Sequence, residues 1–189
     1  MDNAEWTAQD WIERYVRYGF YRPTEIERIV GDDVLGGELS RRRIRELIRA
    51  EVARQAAEQA AWPAVTDCDR LDRAFDALRA RGILAIHNAG YTASEGVAEM
   101  SERYHAAGGP ESGIVGYCFY HRQDMEYALE HRTLGLAYGD IDGDTARGAE
   151  VGERVRHELE AAGLRVEWSG SVDDKIDVAG FHWRRRTQA

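Results

Sequence analysis

Lysine is almost absent from this chain. Lys175 is the only one, and every other one of the 25 basic residues is arginine. That bias reads as the codon usage of a GC-rich genome rather than as chemistry. Cysteine is nearly as scarce. Cys68 and Cys118 form no CxxC pair, which excludes a disulfide framework and fits a reduced, cytoplasmic protein. Together with the six histidines they show no structural-zinc spacing. No apolar run exceeds strand length, so no segment is built to cross a membrane. The acidic start Met1-Asp2-Asn3-Ala4-Glu5 lacks the apolar core of a secretory signal. Excess positive charge is missing too. A formal net charge of −9 disfavours non-specific nucleic-acid binding, favours solubility and steers the chain toward a basic partner. No GxSxG elbow, HExxH, phosphate-binding GxxxxGK[ST] loop or other cofactor fingerprint occurs. Neither a cofactor nor a resident metal is expected.

What is present is the composition of an ordinary globular protein. With 189 residues, 43% hydrophobic and 31% charged, the chain suits one domain, or one domain with a small helical subdomain. That is long enough to bury about two thirds of its unfolded surface without staples.

The first third reads as helix. Trp11, Ile12, Tyr15 and Val16 share one face, and the segment stops at Gly19. Thr24 and Glu27 are spaced as a capping box, and Gly36-Gly37 breaks the helix they would open. A longer helix over about 38–61 carries Ile44, Leu47, Ile48, Val52 and Ala56. It ends at Trp62-Pro63, because proline pushes the preceding residue out of helical geometry. Its arginines (Arg41, Arg42, Arg43, Arg45, Arg49, Arg54) interleave with glutamates, the pattern of a solvated face laced with ion pairs.

From there strands and helices alternate. Strands are expected over Ile83–Ile86, Ile114–Tyr120 and Leu134–Gly139, with Val166/Trp168 and Ile176/Val178 forming a terminal hairpin. Helices carrying Leu71–Leu78, Thr92 with Glu95, Asp124–Arg132 and Val151–Ala162 fall between or beside them. The expected fold is α/β: a mostly parallel or mixed sheet of about five strands flanked by helices, preceded by an N-terminal helical segment. The boundaries expected are 1–62 for that segment and 66–189 for the α/β domain. Along Leu134–Gly139, Gly135, Ala137 and Gly139 leave one face nearly bare, so a helix or ligand can approach it closely.

Three of these strands run into polar turns at their carboxyl ends, where ligands bind in open α/β sheets. His87 and His121 are the proton-transfer candidates, with Asp124 as the carboxylate partner. Asn88, Tyr91, Glu95, Tyr120, Gln123 and Asp140 are the ligand-binding candidates. Each has a plainer reading: Asp124 and Glu95 as helix caps, the tyrosines as packing, the histidines as partners of turn amides. Asp140-Ile141-Asp142-Gly143-Asp144 begins like a calcium loop. Its glycine is misplaced, however, and Val151 stands where a bidentate glutamate is required. Cys118, between Tyr117 and Phe119, is expected to be buried and inert.

His87-Asn88-Ala89-Gly90-Tyr91-Thr92-Ala93-Ser94-Glu95-Gly96 and Tyr117-Cys118-Phe119-Tyr120-His121-Arg122-Gln123-Asp124 resemble motifs of a family of uncharacterised bacterial domains. So do Val166-Glu167-Trp168 and Phe181-His182-Trp183-Arg184. The family is known as a domain of unknown function, and the resemblance runs from about Gly82 onward. It implies that Gly90-Tyr91-Thr92 and Tyr120-His121-Gln123-Asp124 belong to one recurring design, and it implies no activity.

The residues favour a cytoplasmic ligand-binding or protein-interaction domain, with a small molecule or a basic protein as partner. An immunity-like or accessory protein is the special case. The alternative is a small hydrolase or proton-transfer enzyme, with His121 oriented by Asp124 and His87, Asn88 and Tyr91 binding substrate. Substrate, partner and oligomeric state are not legible in the sequence.

Overall fold

Apolar residues at helical spacing build α1 (Asn3–Tyr18), which buries Ala8, Ile12, Tyr15 and Val16. In the computed structural model, which describes residues 3–186, this helix belongs to the first of two compact units. One unit runs to Thr66 and takes in the C-terminal residues from Arg184; the other runs from Asp67 to Trp183.

In the first unit, α2 (Pro23–Arg28) starts on a proline, not at the expected Thr24 box. Pro23 has φ preset and no N–H to satisfy, so it suits the first helical position. The Arg22 N–H then donates to Glu25 Oε2 at 2.7 Å. A wide helical turn, Ile29–Val34, leads to Gly36 and Gly37, both in left-handed conformations. Ser40 caps α3 (Arg41–Gln59) by accepting the Arg43 N–H. The arginine face of α3 is ion-paired: Arg54 alone meets Glu13, Glu51 and Glu58, and Arg43 meets Glu5 and Glu46. Such exposed pairs solvate the helix more than they stabilise it.

The second unit is a five-stranded mixed sheet in the order β1-β2-β3-β5-β4. The strands are β1 (Ile83–Ile86), β2 (Gly116–Phe119), β3 (Thr133–Asp140), β4 (Arg165–Glu167) and β5 (Ile176–Ala179). The helices are α4 (Asp67–Arg79), α5 (Ala93–Ala106), α6 (Arg122–His131) and α7 (Thr145–Ala161). No helix among the described residues is long and apolar enough to cross a membrane.

Close approach of helix to sheet requires missing side chains. A Cβ at Gly152 of α7 would lie 2.6 Å from the Tyr138 ring, and one at Gly116 of β2 would lie 2.6 Å from Val151 of α7. On the opposite face a Cβ at Gly96 of α5 would lie 2.4 Å from the Phe119 ring. Ile86, Ala89, Met100 and Phe119 form the core there.

Of the two sheet types expected, the mixed one is found. Only β1 and β2 are parallel; β3 runs antiparallel to β2, with Gly116 opposite Asp140 and Phe119 opposite Ala137. The ten-residue α6 ends at Arg132 in a left-handed conformation and the chain re-enters the sheet at once, from the end it left. Strand–helix–strand alternation does not reveal that reversal. As a result the carboxyl end of β3 lies away from those of β1 and β2, and the three polar turns do not converge.

Candidate functional site

The turn after β1 is fastened by backbone bonds. Asn88 and Gly90 are left-handed, with φ of 51° and 63°, the conformation these two residue types tolerate best. Glu95 Oε2 accepts the Tyr91 N–H at 2.7 Å, and Glu99 Oε2 accepts the Gly90 N–H at 2.9 Å. Thr92 caps α5 through the Glu95 N–H. The Ala89 N–H donates to the Tyr120 carbonyl, the Arg122 N–H to that of Gly90, and the Gln123 N–H to that of Tyr91. Segments 87–96 and 117–124 are therefore one joint, sewn together by main-chain bonds. Glu95 works in that joint, while Tyr91 and Gln123 lie exposed around it, with the Arg122 guanidinium over the Tyr91 ring at 5.7 Å.

The histidines part company. His87 stacks on Phe75 of α4 at 4.4 Å, its Nδ1 3.0 Å from the Tyr120 hydroxyl and its Nε2 3.3 Å from Asp72. This makes a chain of Asp72, His87 and Tyr120 on the α4 side. Residues alternate across a strand, so His121, next to Tyr120, faces the other way.

His121 is the N-cap of α6. Its Nδ1 accepts the Asp124 N–H at 3.3 Å, and its own backbone N–H donates to Asp124 Oδ2 at 3.1 Å. Because Nδ1 accepts, the ring proton sits on Nε2, which is 3.1 Å from Asp124 Oδ2. Lys175 Nζ donates to Asp124 Oδ1 at 2.5 Å and lies 3.4 Å from His121 Nε2. Nδ1 and both carboxylate oxygens are thus hydrogen-bonded, and Nε2 lies against Asp124 and Lys175. His121 and Asp124 are buried, at 5% and 9% exposure. Burial, with Lys175 adding to it and Asp124 and Glu95 opposing, holds the imidazole below its ordinary value, so it is neutral at pH 7.

The bare face of β3 is what admits Lys175. A Cβ at Gly135 would lie 3.1 Å from Lys175 Cδ, 3.3 Å from Asp177 Oδ1 and 3.5 Å from Asp124 Oδ1. The lysine stem crosses the sheet over this glycine, and the side chain stays 40% exposed. Asp177 is paired in register with Gly135 on one side and Glu167 on the other. Its carboxylate accepts no hydrogen bond from any described residue. Burial pushes its carboxyl above the usual range; Glu167 and Asp124 push the same way, against Lys175.

Asp140 stands apart. Its carboxylate accepts from the Asp142 and Asp144 N–H groups and from Arg147, and Arg147 holds its carboxyl below the usual range. Arg147 occupies the position a cation would take, so this loop is a capped turn. No group of three or more His, Cys, Asp or Glu arranged to hold a metal ion occurs among the described residues. Cys68 and Cys118 are buried free thiols, and burial pushes that of Cys118 far above its ordinary value.

Sequence reasoning paired His121 with Asp124 and missed Lys175, Asp177 and Asp72. For Lys175 the signal was in plain view. A chain that uses arginine at every other basic position keeps its one lysine here, where a guanidinium would grip Asp124 bidentately and more firmly. For Asp177 the signal was subtler: a carboxylate inside an alternating strand, directly across from Glu167.

No curated protein and no solved structure matches the chain. A comparison with protein families matches residues 1–187 to the family described as domain of unknown function DUF6891. The likeness therefore spans the helical segment as well as the sheet; the chain belongs to the DUF6891 family, a domain of unknown function.

Proposed function

We propose that this chain is a bacterial cytoplasmic binding domain, and that its small-molecule ligand sits on the Gly135 face between Lys175 and Asp177. The observation that carries this reading is the state of Asp177. It is a half-buried carboxylate raised by burial, without a hydrogen-bond donor among the described residues and opposite a like charge. Like charges directly across a sheet are destabilising, and buried polar groups are normally paired. Asp177 meets the first cost outright and, being half-buried, part of the second, which is better explained by a missing partner than by the fold.

Lys175 supplies the complementary half. Its ammonium is held by Asp124 and lies beside His121 Nε2, while the side chain as a whole stays 40% exposed. The ligand that fits is a polar molecule carrying an acceptor beside a donor, such as an amino acid, a hydroxy acid or a sugar. Binding is favoured over general-base catalysis because His121 Nδ1 is held by the helix cap and Nε2 lies against Asp124 and the Lys175 ammonium, neither placed to take a substrate proton. The net charge of −9 favours ligands with a positive end and disfavours nucleic acid.

The test is a thermal-shift screen of amino acids, hydroxy acids and sugars on the wild-type chain beside Lys175→Met and Asp177→Asn. A ligand at 100 times its Kd stabilises by about 2.7 kcal/mol, a rise of roughly 5–10 °C for a chain of this size. The expected result is such a rise in the wild type that both variants lose. A screen in which nothing shifts the wild type, or in which the variants shift equally, contradicts the reading.

A further inference from the structure

The junction of His121, Asp124 and Lys175 also bears on how firmly the two motifs are held together. We infer that it is an acid-sensitive latch, in which protonating His121 uncaps α6 and loosens the turn of residues 87–91 fastened to it.

Three features of the geometry give the proton this effect. First, Nδ1 accepts the Asp124 N–H; a proton on Nδ1 would set donor against donor and break the cap. Second, His121 sits at the N-terminus of the ten-residue α6, where the helix dipole repels a positive charge. Third, Lys175 Nζ lies 3.4 Å from Nε2, so an imidazolium would face an ammonium at close range. Against them stand the carboxylates of Asp124, from α6 itself, and Glu95, from α5. Asp124 is already engaged by Lys175 and by the His121 backbone N–H, and Glu95 is engaged by the Tyr91 N–H. The imidazole is also buried, which disfavours its charged form whatever the neighbours.

The consequence reaches the turn because the first residues of α6 hold it. The Arg122 and Gln123 N–H groups donate to the Gly90 and Tyr91 carbonyls. An N-cap of serine, asparagine or aspartate is the common solution for a helix start; a buried histidine does the same work only while it is neutral. The sign follows from linkage. The opened state binds its proton at the ordinary histidine value near 6.5 and the closed state at a lower one, so the latch is fully held above that pH and weakens as pH falls through it. The inference does not depend on the ligand reading, since it concerns the joint and not what the joint binds.

The experiment is amide hydrogen exchange by NMR on the full chain between pH 7.5 and 5.5, corrected for intrinsic exchange, with His121→Ser alongside. Serine caps the helix without titrating. In the wild type, the opening of the Arg122, Gln123 and Asp124 amides is expected to rise about three- to tenfold on acidification. The Val115 amide, which donates to Gly82 at the other end of the strand, should not change, and in His121→Ser all four should stay flat. A flat wild type, or equal pH dependence in both proteins, overturns the latch. Should His121→Ser fail to fold, the wild-type His121 ring titration decides: a midpoint below 6.5 supports the latch, and one at or above 6.5 overturns it.

Discussion

Asp124→Ala is expected to lower the stability of the domain by about 3 kcal/mol, a fall in melting temperature of roughly 6–12 °C. The carboxylate accepts from the His121 backbone N–H and from Lys175, and lies 3.1 Å from His121 Nε2. Removing it leaves a buried backbone N–H without its acceptor, a buried imidazole without its neighbouring carboxylate, and a lysine without its counter-ion. Breaking a buried charged pair from one side costs about 3–5 kcal/mol. The lower end applies because Lys175 is 40% exposed and regains water. Asp124→Asn keeps one oxygen as acceptor and should lose about half as much. Chemical denaturation of the three proteins at pH 7 measures the order. A loss under 1 kcal/mol for the alanine variant would mean that the junction does not hold α6 to the sheet.

Gly96→Val is expected to be comparably damaging, at about 3 kcal/mol, for a reason of volume instead of charge. A Cβ at position 96 meets the Phe119 ring at 2.4 Å and the Ala89 carbonyl at 3.0 Å. Phe119 is buried and the carbonyl is main chain, so neither has room to yield, and valine adds two methyl groups beyond that Cβ. The internal control is Gly148 of α7. A Cβ there would meet nothing closer than 3.5 Å, and alanine in a helix interior gains about 0.5–1 kcal/mol over glycine. Opposite signs for the two glycines are the outcome to look for. If Gly96→Val left the melting temperature unchanged, α5 would not be seated against Phe119.

Much of this fold was legible in the sequence because its devices are local. Ile83–Ile86 is a short apolar run bounded by glycine and a polar turn. Asp144 and Thr92 cap their helices as their spacing predicts, the latter with Glu95 reaching past Thr92 to the Tyr91 N–H. What could not be read is direction. An α6 that hands the chain back to the same end of the sheet has the same periodicity as one that crosses over, so Asp140 was grouped with residues it never meets.

The candidate site divides in the same way. His121 and Asp124 lie three residues apart on a strand-to-helix turn, and spacing alone pairs them. Lys175 and Asp177 reach them through the β3–β5 register, a long-range fact with no local trace. The solitary lysine and a carboxylate inside an alternating strand are the only hints of it in the sequence. Thr24 shows a smaller version of the problem. Its box with Glu27 is correct as a pattern, yet Pro23 starts the helix first because a preset φ outweighs a side-chain cap.

The measurement that tests the central claim most directly is the melting temperature of Asp177→Asn at pH 7. The carboxyl is raised by burial, so its charged form opposes folding at any pH above its folded value. That opposition vanishes below the ordinary carboxylate range. If Asp177 is kept for a ligand, asparagine removes the opposition and stability rises by about 0.5–1 kcal/mol, a gain that shrinks toward zero on acidification below pH 4. A fall of 1 kcal/mol or more at pH 7 would show that the carboxylate supports the fold, and the Gly135 face would lose its claim to be the binding site.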